Sequence, residues 1–517
     1  MRKVAVLVAA GVYLALSYLP LYAVDLNFDG DFRVRGWYSD NLTDAHDGDK
    51  NQTPGLGGVV GVPPFPLVNC ANQTTKCNDE QAFDDLRFRL RTTLRAGVTT
   101  AVVTLDLANG LQATAGNNVA TFQQVPNSVL LANPFLAGTG DTRFGIGFGN
   151  SYNVIGIREA YLKVDVLPEF SLKAGRQLIK LGHGLILDDT VGAIGGVGKF
   201  GPFTVMLADA VICDTNALGS VGTCVSPGNV VASGTGGDTD LYIARLNFTH
   251  MDDHKLGLFV TYLDDRKAAT VPFFTLGDQS GDLWTVGATA DGKFGPANLN
   301  LEVDYLTGTG NKPGGAQNDD LRGYNALASI NGFTVGPANL GLTLLYTSGV
   351  NANKMAHRDN VNSISGNYAL GNILLNNTER SDRDGGSVGG PLAPFIAGTL
   401  TGLPPGNQVG GSGFNGLGMT AIKLAASMNP LEKLGVDAAV IWAQTSETAS
   451  SGPIVPGPSR NLGVELDGNV QYKLDQYATL FAGIGYLFVG DAWQAIYQDA
   501  NAKDNMIKMD MGVSYRF

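Results

Sequence analysis

The sequence is poor in charge and has no long apolar run beyond its first residues. Charged residues make up 16% of the chain, and the formal net charge is −12. No basic tract stands out, so the composition argues against nucleic acid as a partner. After the opening segment no stretch is apolar for long enough to form a transmembrane helix. The chain therefore cannot cross a membrane as helices.

Cysteine and histidine are also scarce. The 4 cysteines form two close pairs, Cys70/Cys77 and Cys213/Cys224, whose spacing does not match a zinc site. The sequence therefore predicts two small-loop disulfides, no metal site and no cofactor. An enzyme is not expected either. Among the 5 histidines only His183, in KLGHGLILDD, lies in a suggestive motif, where a hydrogen bond at a rim is favoured over a general base.

The N-terminus carries an export signature. Arg2 and Lys3 precede an apolar run over residues 4–19, and the small Ala23 follows. This order predicts a secretory signal peptide over residues 1–23, with one barrel domain over residues 24–517.

Polar and apolar residues alternate along most of the remaining chain. In FDDLRFRLRTTLRAG (83–97), Arg87, Arg89, Arg91 and Arg95 fall on one face at period two, while leucines and Phe88 fall on the other. The amphipathic segments run for about ten residues or more, which is the length that tilted strands need to cross a bilayer. A soluble sandwich would have shorter strands.

Short turns alternate with long polar segments between these strands. The short turns are predicted at 97–99, 167–170, 200–202, 250–254, 294–298, 336–339, 429–431 and 474–477. The pattern predicts an all-β fold: a transmembrane antiparallel β-barrel of about 18 strands with short periplasmic turns and long extracellular loops. Such a barrel would lie in the outer membrane of a Gram-negative-type cell, in contact with its lipid.

The arginine face must line the interior of such a barrel, because an arginine facing lipid near the midplane costs about 2–4 kcal/mol. Guanidinium groups offer bidentate binding to carboxylate or phosphate, so the wall predicts a path for anionic solutes. Acids beside the bases would brace them or repel cations. By parity the inward candidates are Arg33, Arg35, Arg87, Arg89, Arg91, Arg95, Lys163, Lys173, Arg245 and Arg516, with the acids Glu159, Asp165, Glu302, Asp304, Glu465 and Asp467.

Four segments resemble the alginate-export family of outer-membrane barrels: RFRLRTTLRAG (87–97), REAYLKVDV (158–166), LKAGRQLIKLGHGLILDD (172–189) and GVELDGNVQYKLDQYATLFAGIGYLFVGDAW (463–493). The resemblance implies a monomeric barrel whose basic constriction passes a linear polyuronate outward. It carries over Arg87, Arg89, Arg91, Glu159 and Arg176 as lumen residues. Arg176 and Lys173 cannot both point inward without a bulge between them, and Arg158 has lipid-side parity beside Glu159.

The functional hypothesis is selective passage of anionic sugars or other small anionic solutes. Two alternatives stay open. One is a general-diffusion porin in which inward charges set weak ion selectivity, and the other is a barrel that encloses a partner protein. The terminal Phe517, with Tyr515, resembles the C-terminal signal read by the barrel-insertion machinery.

Overall fold

The fold was established from a computed structural model. It describes residues 25–40, 81–113, 146–147, 153–213, 239–250, 253–265, 280–311, 319–349, 357–358, 368–374, 418–448, 459–497 and 503–517. The strands within these ranges are β1 (Asp25–Asp40), β2 (Gln81–Ala96), β3 (Thr99–Ala113), β4 (Ile146–Gly147), β5 (Asn153–Leu167), β6 (Phe170–Leu181), β7 (Leu187–Phe200), β8 (Phe203–Cys213), β9 (Thr239–His250), β10 (His254–Asp265), β11 (Ser280–Phe294), β12 (Ala297–Asn311), β13 (Asp319–Val335), β14 (Ala338–Thr347), β15 (His357–Arg358), β16 (Met419–Leu431), β17 (Leu434–Gln444), β18 (Asn461–Lys473), β19 (Ala478–Val489) and β20 (Met506–Arg516).

The long strands close into a ring. Each pairs antiparallel with its neighbours in sequence, and β1 pairs antiparallel with β20, for example Val34 with Val513. The two-residue strands β4 and β15 only flank the ring, so β3 pairs with β5 and β14 pairs with β16. Closure leaves no free sheet edge, as a membrane barrel requires. The prediction of a closed antiparallel barrel is confirmed, with 18 strands.

The alternation of the sequence sets the two faces of the sheet. Leu94 of β2 is 41% exposed on the outer face, whereas Asp106 of β3 is 1% exposed on the inner face. A register slip of one residue would move the arginines of β2 to the outside. Burial of these charges inside the barrel therefore fixes the register.

Exposed aromatic side chains mark two levels on the outside. Tyr242, Tyr262 and Trp284 stack along neighbouring strands toward the long-loop rim, with ring centroids 6.2 and 4.6 Å apart. Phe294 lies beside a short turn at the other end of the strand that carries Trp284. Ten residues at about 3.3 Å each, on a strand tilted by about 40°, span about 25 Å, the height of a lipid-facing band.

The short turns lie where they were predicted, except one. The turn expected at 429–431 lies at 432–433, because β16 continues to Leu431. Its pairing with β17 shifts between Met428 and Leu431. Pro430 supplies no N–H for the ladder, which favours a bulge at this point in place of a turn.

One short helix, α1 (Ala492–Tyr497), follows β19. No helix within the described residues is long and apolar enough to cross a membrane. The predicted signal peptide lies outside the described residues.

Candidate functional site

The inner faces of β1, β2, β3, β5 and β6 form one charged surface, here called the basic wall. Arg33 lies directly opposite Arg87 across the first strand pair, and Asp31 lies opposite Arg89. Toward the short-turn rim, Arg91 and Arg95 lie opposite acids of β1 in the same way. Arg35 belongs to the same face and is only 5% exposed. Arg516 of β20 borders it, opposite Asp31.

The arginines of the wall nearer the long-loop rim are held in ion pairs. The Nη2 and Nε atoms of Arg87 donate to Oδ2 of Asp31 at 2.7 and 3.1 Å. Nη2 of Arg89 donates to the buried Asp106 at 3.0 Å. Charge-assisted bonds of this length fix both partners. These guanidinium groups are therefore committed to the protein.

Nearer the short-turn rim the cations surround Tyr161 of β5. Arg91 donates to the Tyr161 hydroxyl at 3.1 Å, and Nζ of Lys173 lies 3.7 Å from the centre of its ring. Glu159 lies 3.7 Å from Arg91 and accepts a hydrogen bond from Thr104 at 3.0 Å. The side chain of Arg91 nevertheless stays 40% exposed.

Lys163 belongs to the same group, because it lies opposite Lys173 across the β5–β6 pair. Its Nζ lies 2.8 Å from Asp165, and its side chain is 41% exposed. We call Arg91, Tyr161, Lys163 and Lys173 the inner cluster. It presents accessible positive charge beside an aromatic ring.

A β-bulge corrects the expectation for Arg158. The pairing of β3 with β5 passes from Thr104–Glu159 to Leu105–Ile157, so Arg158 is the extra residue. The bulge lets Arg158 and Glu159 both point inward, with Nη1 of Arg158 3.9 Å from Asp106. Nothing in the alternation of the sequence signalled this bulge.

The placement of Arg176 in the lumen is wrong. The pairing of β6 with β7 is uninterrupted, so Arg176 shares the outer face with the exposed Leu172 and Leu178. Its guanidinium donates to the main-chain oxygen of Arg158 at 3.2 Å and to Thr190 at 3.3 Å. Lys173 alone of the two bases points inward.

The segment 182–186 between β6 and β7 folds into the barrel. Its His183 N–H donates to Glu302 of β12 at 2.5 Å, and Nε2 of His183 lies 3.3 Å from Asp291. Arg245 of β9 donates to the main-chain oxygen of Lys180, near the end of β6 from which the segment starts, at 3.1 Å. His183 is therefore a lumen residue and does not lie at the rim. Arg245 binds the end of β6 beside it.

A second segment, 368–374, folds in from the long connection between β14 and β16. Glu465 of β18 accepts the N–H groups of Ile373 and Leu374 at 2.6 and 2.7 Å. Asp467 accepts the N–H of Asn372 at 3.3 Å. Glu465 and Asp467 thus point inward, as their parity predicted, but their carboxylates bind the protein's own backbone. Only the fold could bring these partners together across some 90 residues of sequence.

The two folded-in segments meet inside the barrel. Leu185 of the first belongs to one buried cluster with Leu370, Ile373 and Leu374 of the second. Tyr368 packs against this cluster, and burial, with the negative charge of Glu302, raises the pKa of its phenol to about 12. Inside the barrel the segments therefore pack against inward-facing residues of the strands from β13 to β20, outside the basic wall.

The remaining predicted residues lie elsewhere. Phe517 lies on the outer face, 42% exposed, and its ring stacks on Phe88 at 6.1 Å. Cys70, Cys77 and Cys224 lie outside the described residues, as does the side chain of Cys213, whose backbone ends β8. The two disulfides stay a prediction.

Solved structures of similar architecture are outer-membrane porins. A BenF-like porin from Pseudomonas fluorescens Pf-5 is 10% identical, with 95% of this chain and 98% of that chain covered and a TM-score of 0.47. OccAB2 from Acinetobacter baumannii is 12% identical, with 95% and 98% covered and a TM-score of 0.47. OpdK from Pseudomonas aeruginosa, in a structure with vanillate, is 9% identical, with 95% and 98% covered and a TM-score of 0.47. No protein-family model and no curated protein matches the chain.

Fold and surface together define the class. The ring is closed, its outer face is mostly apolar between two aromatic levels, and most charges of its strands point inward. The chain is a closed antiparallel β-barrel of the outer-membrane type.

Proposed function

We propose that the barrel is a passive channel selective for small anionic solutes that carry carboxylates. The observation that carries the proposal is the inner cluster, whose cations stay accessible in a lumen narrowed by two folded-in segments. Guanidinium and ammonium groups beside an aromatic ring suit a carboxylate attached to a flat or sugar-like body.

The difference between the two halves of the basic wall supports this assignment. Arg87 and Arg89 are committed to Asp31 and Asp106, so their charges are largely compensated. The side chains of Arg91 and Lys163 are about twice as exposed as that of Arg89. A solute would therefore be attracted along the wall and held most strongly at the inner cluster. Conduction requires this binding to stay weak.

A linear polyuronate is the second candidate, favoured by the continuity of the wall. Inward residues two apart along a strand are separated by about 6.6 Å, so Arg87, Arg89 and Arg91 form an evenly spaced row of arginines, and Arg95 follows about 13 Å farther along. Such a row suits a chain of carboxylates that moves from site to site.

Planar-bilayer recordings under a KCl gradient test the proposal. The reversal potential should show anion preference, and a uronate should block the current more than a neutral sugar of equal size. Block by the monomer would support a small solute, whereas block by the oligomer alone would support the polyuronate. Cation preference, or indifference to both, would leave a general-diffusion porin. Absence of current would favour a barrel that encloses a partner.

The triple variant Arg91→Gln/Lys163→Gln/Lys173→Gln locates the site. We expect it to lose most of the anion preference and the uronate block. Lys433→Gln is the matched control, because Lys433 lies at the tip of a short turn and donates to the main-chain oxygen of Leu474. An equal loss in the control would contradict the assignment.

We also propose that Phe517 is read by the barrel-insertion machinery. Its exposed ring at the end of β20 supports the proposal, because a terminal strand must be recognised before the ring closes. Deletion of Phe517 should lower the amount of folded barrel in the outer membrane. Insertion at the level of the full-length chain would contradict it.

A further inference from the structure

The outer face of β8 carries an acid that the lipid cannot satisfy. Asp209 is exposed in the same alternate set as Leu207, which is 60% exposed. Among the described residues, no cation or hydrogen-bond donor contacts its carboxylate. Acyl chains offer no donor either, so an ionisable group at this position is costly and points to a function.

Asp209 lies at the same depth as the outward-facing Arg176. Arg176 is the seventh residue after Glu169, the last residue of one short turn, and Asp209 is the seventh after Pro202, the last residue of the next. Seven residues span about 23 Å along a strand, or about 18 Å along the barrel axis at a tilt of about 40°. Both charges therefore lie well away from the short-turn rim, and Asp209 lies directly opposite Tyr242 of the aromatic level toward the long-loop rim.

The strand between them has little side-chain bulk on its outer face. In β7, Gly192 lies opposite Arg176 and Ile194 lies opposite Asp209. A Cβ atom added at Gly192 would meet nothing within 4 Å. Farther down the strand, Gly196 and Gly198 also face outward, under the rings of Phe170 and Phe200. Another surface can therefore approach the backbone of β7 closely at Gly192, whereas the two phenylalanine rings cover the glycines below it.

We propose that this face is an interface with a second copy of the chain. A two-fold axis parallel to the membrane normal and passing through β7 would set each Asp209 against the Arg176 of the other copy. Such an isologous contact requires two opposite charges at equal depth on either side of the axis. Arg176 and Asp209 meet that requirement.

The surroundings of Asp209 also suit contact with a second copy of the chain. A shallow groove of about 530 Å³ borders the carboxylate and is lined by Ile194, Leu207, Tyr242, Val260, Tyr262 and Trp284. Apolar side chains of a second barrel would fill it while the charges pair. Such a pair is strengthened by the low dielectric of its membrane surroundings, where water is scarce.

Cross-linking and charge reversal test the interface in lipid nanodiscs. Gly192→Cys lies beside the proposed axis and should form a disulfide-linked dimer at a yield about tenfold above Leu424→Cys. Leu424 is also lipid-facing, 58% exposed, but lies on the distant strand β16. The wild-type chain serves as the blank for the native cysteines.

Asp209→Arg alone and Arg176→Asp alone should each weaken dimerisation about tenfold or more, because like charges then meet. The double variant Arg176→Asp/Asp209→Arg should restore the dimer. A monomeric wild type, equal cross-linking at 192 and 424, or dimers that survive both single reversals would each overturn the proposal. If the single charge-reversal variants fail to fold, the cross-linking yields of Gly192→Cys and Leu424→Cys test the proposal by themselves.

Discussion

The two sides of the lumen use charge in opposite ways. On the basic wall, Arg91 and Lys163 remain accessible in front of partly paired neighbours. On β12 and β18, outside the basic wall, Glu302 and Glu465 accept backbone N–H groups from segments that the chain folds into itself. Inward charge is therefore not evidence of solute contact. What distinguishes a binding site from an anchor is whether the partner of the charge is already present in the protein.

The largest effect is expected from removing the stronger anchor. Glu465→Ala leaves the N–H groups of Ile373 and Leu374 without acceptors, and each such buried group costs about 1–3 kcal/mol. We expect the segment 368–374 to leave the lumen, which would raise single-channel conductance severalfold and expose the segment to protease.

Asp437→Ala is the control for that variant. It removes the same charge from the neighbouring strand β17, where Asp437 lies opposite Asn469 and, among the described residues, has no hydrogen bond or ion pair with either folded-in segment. Unchanged conductance in Glu465→Ala would show that the segment does not depend on its anchor.

A pair of glycines sharpens the comparison at the first segment. Gly182 has φ +56°, and a Cβ atom there would overlap the carboxylate of Glu302. Gly201, in a short turn, has φ +59° with open space around it. Gly201→Ala should lower the free energy of unfolding by about 1–2 kcal/mol, which is the cost of placing a side chain in the left-handed conformation. Gly182→Ala should lower the free energy of unfolding in urea by more than Gly201→Ala does, and it should also raise conductance. An equal loss of stability in the two variants would contradict the close packing at Gly182.

Within the basic wall, Arg87 and Arg91 should separate stability from selectivity. Arg87→Gln breaks a part-buried ion pair and should lower the free energy of unfolding by about 1–3 kcal/mol. Arg91→Gln should leave stability nearly unchanged and weaken uronate block about threefold to tenfold. Urea titration and current block measure the two quantities on the same proteins. If Arg87→Gln weakened uronate block and Arg91→Gln lowered stability instead, the binding site would lie in the half of the basic wall nearer the long-loop rim.

The smallest effect is expected at the short turn between β18 and β19, away from both the basic wall and the folded-in segments. The Asp475 carboxylate accepts the N–H groups of Tyr477 and Ala478, each at 2.7 Å, and these bonds lower its pKa from the ordinary 3.8. A lowered pKa stabilises the fold above the ordinary value, and that contribution is lost as the pH falls through the lowered one. Asp475→Asn should remove a small pH dependence of urea unfolding below about pH 4. Identical profiles in the two proteins would contradict this prediction.

The fold was largely predictable, because alternation and turn residues are local signals. Period-two patterns specified the strands, and the arginines of β2 fixed which face points inward. The site was only partly predictable. The bulge at Arg158 changes parity without a local signature, and the outward position of Arg176 follows from an uninterrupted register that the resemblance overrode.

The sequence by itself determined that the chain is a closed barrel with a row of arginines inside. The reason is that lipid disfavours unpaired backbone groups and charged side chains. The alternating strands are therefore satisfied by a closed ring whose apolar face meets lipid and whose arginines face inward. Only the tertiary structure decided which inward charges stay accessible. Glu465 meets the N–H of Ile373 from 92 residues away, and Leu185 of one folded-in segment packs against Leu374 of the other. Such contacts depend on the closed ring that brings distant strands to face each other across the lumen.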